Sequence, residues 1–214
     1  MSPATTVRTT ASIVTTVYTI ALPLFGITPT QNAKHLFAYL PSLLAYGVLV
    51  FDKWAWRWPL VHRFTGHPWI GGTWRAVVTP APESHIPAGG NRGPITTYLT
   101  IEQTYWTLHA TLRTAESASR SDNATIVKTD GSGTAEVRFL YDNTPRTEYR
   151  QRSPRHSGAC RLSVTGRTPQ TITGSYFTDR FTAGDMDLTL VDRSTDHGTF
   201  ADAQTADQAT AQTA

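Results

Sequence analysis

Serine recurs at every second position in the run Thr114-Ala115-Glu116-Ser117-Ala118-Ser119-Arg120-Ser121. Residues two apart share a face of an extended chain, so Ser117, Ser119 and Ser121 form a row of hydroxyls with Arg120 opposite. Hydroxyls both donate and accept, and a guanidinium pairs with phosphate, so this row suits phosphates and nucleobase edges. A polar strand end or turn would use the same residues, and both uses remain open. A second group lies in GSYFTDRFTAG, residues 174–184. Read as a strand, it puts Tyr176, Thr178, Arg180 and Thr182 on one face and Phe177 and Phe181 on the other. An aromatic plane beside a cation and hydroxyls can stack a base and hold its phosphate. The alternative pairs Arg180 with an acidic neighbour on a solvated strand. A third set comprises Trp74, Gln103, Trp106, Tyr141 and His156. The two tryptophans read first as core or plug residues and only second as ligand contacts.

Bond-making chemistry has no comparable support. The chain has no G-x-S-x-G elbow, no H-E-x-x-H, no Walker loop and no G-x-G-x-x-G. Histidines at 35, 62, 67, 85, 109, 156 and 197 lack metal-ligand spacing, and GGNRG at 89–93 reads as a flexible turn. The single cysteine, Cys160, excludes an intramolecular disulfide and a cysteine-built zinc site. The expectation is a binding protein, not an enzyme, with no cofactor. The candidate ligand contacts are Ser117, Ser119, Tyr141, His156, Tyr176, Thr178 and Arg180.

The elements that must position these residues are strands. A chain of 214 residues allows one ordinary domain plus extras. From Gly71 to Arg193 valines, threonines and turn clusters alternate, and strands are expected near 72–79, 94–103, 105–115, 123–129, 134–142, 157–165, 170–179 and 185–192. Ala135, Val137, Phe139 and Tyr141 alternate with Glu136, Arg138 and Leu140, and Cys160, Leu162 and Val164 with Ala159, Arg161 and Ser163. Between 94 and 116 the apolar phase switches, from Leu99 and Ile101 to Trp106, Leu108 and Leu112, which implies a bulge, a bend or a break. TDGSG at 129–133 is a hairpin turn, and Pro80 to Pro94 is a long Pro/Gly loop. About eight short antiparallel strands make a small closed barrel or a sandwich, and a barrel of that size holds one small ligand. The tail 194–214, rich in Ala, Thr, Gln and Asp, reads as disordered.

Ahead of the strands lie two uncharged runs, residues 11–27 and 36–51, joined by the polar connection TPTQNAKH. With their flanks (helices about 9–28 and 35–56), each approaches the length that spans a bilayer. Trp54, Trp56 and Trp58 interleave with Lys53, Arg57 and Arg63 as an interfacial collar. The basic residues beside the second run put both chain ends, and the barrel, in the cytoplasm. A cleaved signal peptide is the weaker reading, since Arg8 alone makes a thin positive region and a second equal run follows. Ala11, Thr15 and Thr19 recur at four-residue spacing, a small-residue face along which membrane helices can associate. The expected organisation is therefore a membrane-anchored all-β protein. A transmembrane hairpin (1–62) precedes an antiparallel barrel of about eight strands (63–193) and a disordered tail (194–214). The formal charge of +3 is not gathered into a dense basic stripe, so a DNA or RNA polymer is not the expected partner.

In this order, several short pieces resemble one family. They are the two apolar segments, GGTW at 71–74, IEQTYW at 101–106, the serine row, FLYDN at 139–143, HSGACRL at 156–162 and GSYFTDRFTAG at 174–184. The family is the two-transmembrane, β-barrel effectors of CBASS, the cyclic-oligonucleotide-based antiphage signalling systems of bacteria. The resemblance implies that a phage-activated cyclase makes a cyclic di- or trinucleotide and that the barrel binds it at the inner membrane. Binding then favours a homo-oligomer of the hairpins, and the bilayer is disrupted before phage mature. The rival expectation is a membrane-tethered, lipocalin-like carrier, whose pocket should be lined by apolar residues.

Overall fold

In the computed structural model eight strands close into an antiparallel barrel in sequence order, with β8 returning to pair with β1. They are β1 (Gly72–Pro80), β2 (Ile95–Gln103), β3 (Leu108–Arg113), β4 (Ser117–Lys128), β5 (Thr134–Pro145), β6 (His156–Thr165), β7 (Thr171–Thr178) and β8 (Ala183–Asp192). The structure describes residues 9–10, 13–14, 16–17, 20, 43–86, 90–128 and 133–213. Closure decides for the barrel over the sandwich, and it removes the exposed edges a sandwich would retain.

All eight expected strands are present, with shifted ends. The largest shift is in β4, which begins at Ser117 because the serine row is itself strand. Its register slips between Asp122 and Thr125, where Asn123 takes a left-handed φ of 51°. That bulge resets the phase, so Ala124 and Ile126 pack against the core. The phase switch after Ile101 is a break: β2 ends at Gln103 and β3 starts at Leu108.

The interior is filled toward the end where β1 begins. Trp74, Ile101, Val137, Leu162, Val164 and Leu188 are essentially inaccessible there. Trp74 is the plug its size suggested, and its indole Nε1–H donates to Ile70 O at 2.9 Å. Gln103, a member of the third set, is structural: its Oε1 accepts from Ile70 N and Gly71 N, and its Nε2 donates to Pro68 O. Arg193 completes this closed end, donating to the carbonyls of Trp69, Gly71 and Pro169 while lying 4.8 Å from the Trp69 ring.

The tail is not disordered. Residues Phe200–Thr213 form a helix (α2 below), with Ala203 buried and the Phe200 ring 5.3 Å from that of Tyr98. Tyr98 points outward from β2, yet it is 2% exposed because this helix covers it, and its hydroxyl donates to Asp207 Oδ2 at 3.0 Å. Alanine-rich composition suits helix as well as disorder, and packing on an apolar wall decides which.

The chain divides into two units, and the barrel with its tail, residues 67–103 and 108–214, is one. The other comprises residues up to Gly66 with Thr104–Thr107. Its described part is helical over 43–53 and includes the short helix α1 (Pro59–Thr65), stopped by left-handed Gly66. Of the expected tryptophan collar, Trp54 and Trp58 are exposed but Trp56 is fully buried, beside Tyr105 at 6.1 Å between ring centroids. Trp106 also belongs to this unit, its N–H donating to Asp52 Oδ1 at 3.1 Å, so it is not a barrel plug. Most of the two expected membrane helices falls outside the described residues. Among the described residues no helix is long and apolar enough to cross a membrane.

Candidate functional site

The connections after β1, β3, β5 and β7 all lie at the end of the barrel opposite the Trp74 plug. A cavity of about 190 Å³ opens there. Its floor is apolar and soft, with Leu99, Phe139, Cys160 and Met186, where the Cys160 and Met186 sulfurs stand 3.8 Å apart. Its upper wall is polar: Thr114, Ser117, Ser119, Asn143, His156, Thr178 and Thr182.

Strand alternation builds this wall. Inward positions of β5 run Ala135, Val137, Phe139, Tyr141 and then Asn143, so the face that is core at one end becomes polar at the mouth. Ser119 lies opposite Asn143 on β4, and His156 lies opposite it on β6. The Asn143 amide donates to Ser119 Oγ at 2.8 Å and to Ser117 Oγ at 3.0 Å. Its Oδ1 is buried and has no hydrogen-bond partner among the described residues. The amide orientation is assigned from this network, but reversing it would leave the NH₂ end similarly short of partners. An unsatisfied buried polar atom costs about 1–3 kcal/mol, which a ligand donor would recover.

Electrostatically the cavity favours neutral groups. Burial pushes the Cys160 thiol up to about 12. Burial also raises Tyr141, helped by Cys160, Tyr176 and Asp179, and it raises Tyr176. These groups therefore stay protonated near neutrality, and the phenols remain hydrogen-bond donors. Among the described residues lining the cavity, the imidazole of His156 is the single basic side chain.

Six of the seven candidate contacts are brought together here: Ser117, Ser119, Tyr141, His156, Tyr176 and Thr178 all line the cavity. Arg180 does not. The alternation that put it beside Thr178 ends with β7, and Phe181 in the following turn takes a left-handed φ of 60°. Arg180 instead sits at the rim, its Nη1 donating to Ser153 Oγ at 3.2 Å, while Thr182 returns to the cavity through a 2.8 Å contact with Thr178 Oγ1. Phe177 and Phe181 are exposed on the outside. Ser121, last of the row, is drawn off to accept the Ala110 N–H at 2.8 Å.

Sequence reasoning missed Asn143, although continuing the alternation of 135–141 by one step puts a polar residue on the apolar face. It also missed the β5–β6 connection, where Arg146, Arg150, Arg152 and Arg155 crowd into ten residues at the cavity mouth.

A barrel plugged at one end and open at the other onto a ring-walled, polar-rimmed cavity is a receptor for one small ligand with an aromatic body and polar edges. The family model for the Cap15 cyclic dinucleotide receptor domain matches residues 65–190, the barrel itself, and the chain belongs to that family. A relative, CD-NTase-associated protein 15 of Staphylococcus schleiferi, is 25% identical over 153 residues, covering 72% of this chain and 78% of its own. The resemblance to CBASS barrel effectors seen in the sequence is thereby borne out.

Proposed function

We propose that the chain is a CBASS effector whose barrel binds a cyclic di- or trinucleotide and, when loaded, assembles through its N-terminal segments to disrupt the bacterial inner membrane. The observation that carries the reading is the family match over a barrel whose cavity is open, ring-walled and rimmed by hydroxyls, an amide and an imidazole. No bond need be made or broken. The ligand acts by binding more tightly to the assembled than to the dispersed state, without which it could shift no equilibrium. Residues 11–27 and 36–51 are the proposed membrane hairpin, with both chain ends and the barrel cytoplasmic and helices meeting along Ala11, Thr15 and Thr19. The lipocalin-like carrier reading fits less well, because an apolar cargo would leave the hydrogen-bonding groups of Asn143, Ser119 and His156 unused.

The test is thermal unfolding of the full chain in detergent against cyclic mono-, di- and trinucleotides and fatty acids. Selective stabilisation by one cyclic di- or trinucleotide is the expected result, and stabilisation by fatty acids alone would transfer the chain to the carrier class. In cells making that nucleotide, Thr15→Leu should keep ligand binding and lose growth arrest. Arrest that persists in this variant removes the proposed helix face.

A further inference from the structure

We propose that the phosphates of the ligand are held outside the cavity, by the arginine-rich β5–β6 connection at its mouth, while one base alone enters the cavity and meets Asn143 in its upper wall. The proposal rests on the cyclic-nucleotide reading above and adds how the ligand is divided between two environments.

Size is the first reason. A cyclic dinucleotide carries two bases, two riboses and two phosphates, yet the cavity measures about 190 Å³. Sites that engulf a drug-sized ligand run to roughly 300–1,000 Å³. That volume, lined by Tyr141, Tyr176 and Phe139, has room for one base and not for the whole ligand, so the remainder of the ring must stay above the rim.

Charge is the second. Among the described residues no arginine or lysine lines the cavity. A phosphate drawn inside would be desolvated without a fixed partner charge, a costly arrangement. Cations gather instead at the mouth. The β5–β6 connection, residues 146–155, holds four arginines against the one carboxylate of Glu148. Asn143 and His156 pair as the last rung before it, so it stands directly at the opening.

The arginines there are not equally occupied. Arg152 is ion-paired with Glu116 and lies 5.0 Å from the Tyr149 ring. Arg150 Nε donates to Pro145 O at 3.5 Å. Two other carboxylates at this end are also engaged: Asp142 Oδ1 accepts from Ser157 Oγ and Asp179 Oδ2 from Ser157 N. Arg146 and Arg155 are exposed and have no ion pair or side-chain hydrogen bond among the described residues. A guanidinium presents paired donors that match a phosphate, so these two are the clamps. Below these arginines, in the upper wall of the cavity, Asn143 Oδ1 is the orphan acceptor that an exocyclic amine or ring N–H of the base would satisfy.

The experiment titrates the full chain in detergent with cyclic di- and trinucleotides of adenine, guanine and uracil. The double variant Arg146→Gln/Arg155→Gln should lose affinity by about tenfold or more while keeping the wild-type order of base preference. Raising salt from about 50 to about 500 mM should weaken wild-type binding and leave the double variant much less affected. Asn143→Leu should do the reverse, changing base preference while retaining the salt dependence. Arg167→Gln, exposed at the plugged end, should behave as wild type. If the preferred cyclic nucleotide binds the wild type and the double variant equally, with equal salt dependence, the clamp is overturned and the receptor reading stands. If no cyclic dinucleotide and no cyclic trinucleotide binds the wild type in the same titration, the receptor reading itself falls and the clamp with it.

Discussion

Tyr141 and Gly158 face each other across the β5–β6 ladder, and the phenol lies where a larger residue at 158 would stand. A Cβ built on Gly158 would come within 2.5 Å of the Tyr141 hydroxyl and 2.6 Å of Phe177 O. The ring is thus folded over a glycine to form one wall of the cavity. Gly158→Ala must move either the ring or the neighbouring strand, an overpacking that costs about 1–3 kcal/mol. A lowered melting temperature together with weakened ligand binding is expected. Wild-type values for both would show that the Tyr141 ring is free to move aside.

Arg193 ties three carbonyls of the plugged end with one planar guanidinium and lies against Trp69 and Trp74. An ammonium cannot reproduce that fan of donors. Arg193→Lys should therefore destabilise nearly as much as Arg193→Ala, by about 2–3 kcal/mol, or roughly 5–10 °C in thermal unfolding. Rescue by lysine would reduce the role of Arg193 to charge alone.

Helix α2 covers the outer wall at Tyr98 and Val191, on the far side of the strand from the ligand cavity. Its polar sequence would not be helical alone, so its order comes from packing. Removing residues 199–214 exposes Tyr98 and should lower the melting temperature by about 4–8 °C while leaving ligand affinity within about twofold. An unchanged melting temperature would mean the helix contributes nothing to the barrel.

Alkaline pH should weaken the barrel, first through Cys160. Burial raises its thiol from 9.0 to about 12. Below pH 9.0 folded and unfolded chains both hold this proton, and the contribution to stability is fully present. Above it the unfolded chain releases the proton and the folded chain does not, so stability falls with rising pH by up to about 1.4 kcal/mol per unit. Tyr98, raised by burial and by Asp207 from 10.0 to about 12, adds a loss of the same sign at higher pH. Urea unfolding across pH 9.0 to 10.0 should show the decline, flattened in Cys160→Ala. An equally steep decline in the variant would place the titration elsewhere.

Much of the barrel could be read from local pattern. Period-two alternation in β5 and β6, β-branched content and regular turn spacing found every strand, because a side chain's face depends only on its parity along an extended chain. Five cavity residues, Ser117, Ser119, Tyr141, Tyr176 and Thr178, shared faces by the same parity. Arg180 did not, because β7 ends at Thr178 and Arg180 lies in the β7–β8 turn, where parity along an extended chain no longer applies. The helix at 200–213 was hidden for a different reason: its composition is compatible with disorder, and its order depends on a tyrosine about a hundred residues away in sequence.

By itself the sequence determined which residues share a face, that eight short strands follow one another, and that hydroxyls and aromatic rings recur on common faces, though not which face points inward. Those properties are local, set by φ/ψ sterics and side-chain chemistry within a few residues. Only the tertiary structure decided that the sheet closes, that its first end is plugged by Trp74 and sealed by Arg193, and that the cavity opens at the other. It also decided that Asn143 is buried with an idle oxygen and that the connection carrying the arginines of 146–155 stands at the mouth. These follow from strand register and from which ends of distant strands meet, and that long-range arrangement is created only when the eighth strand pairs with the first.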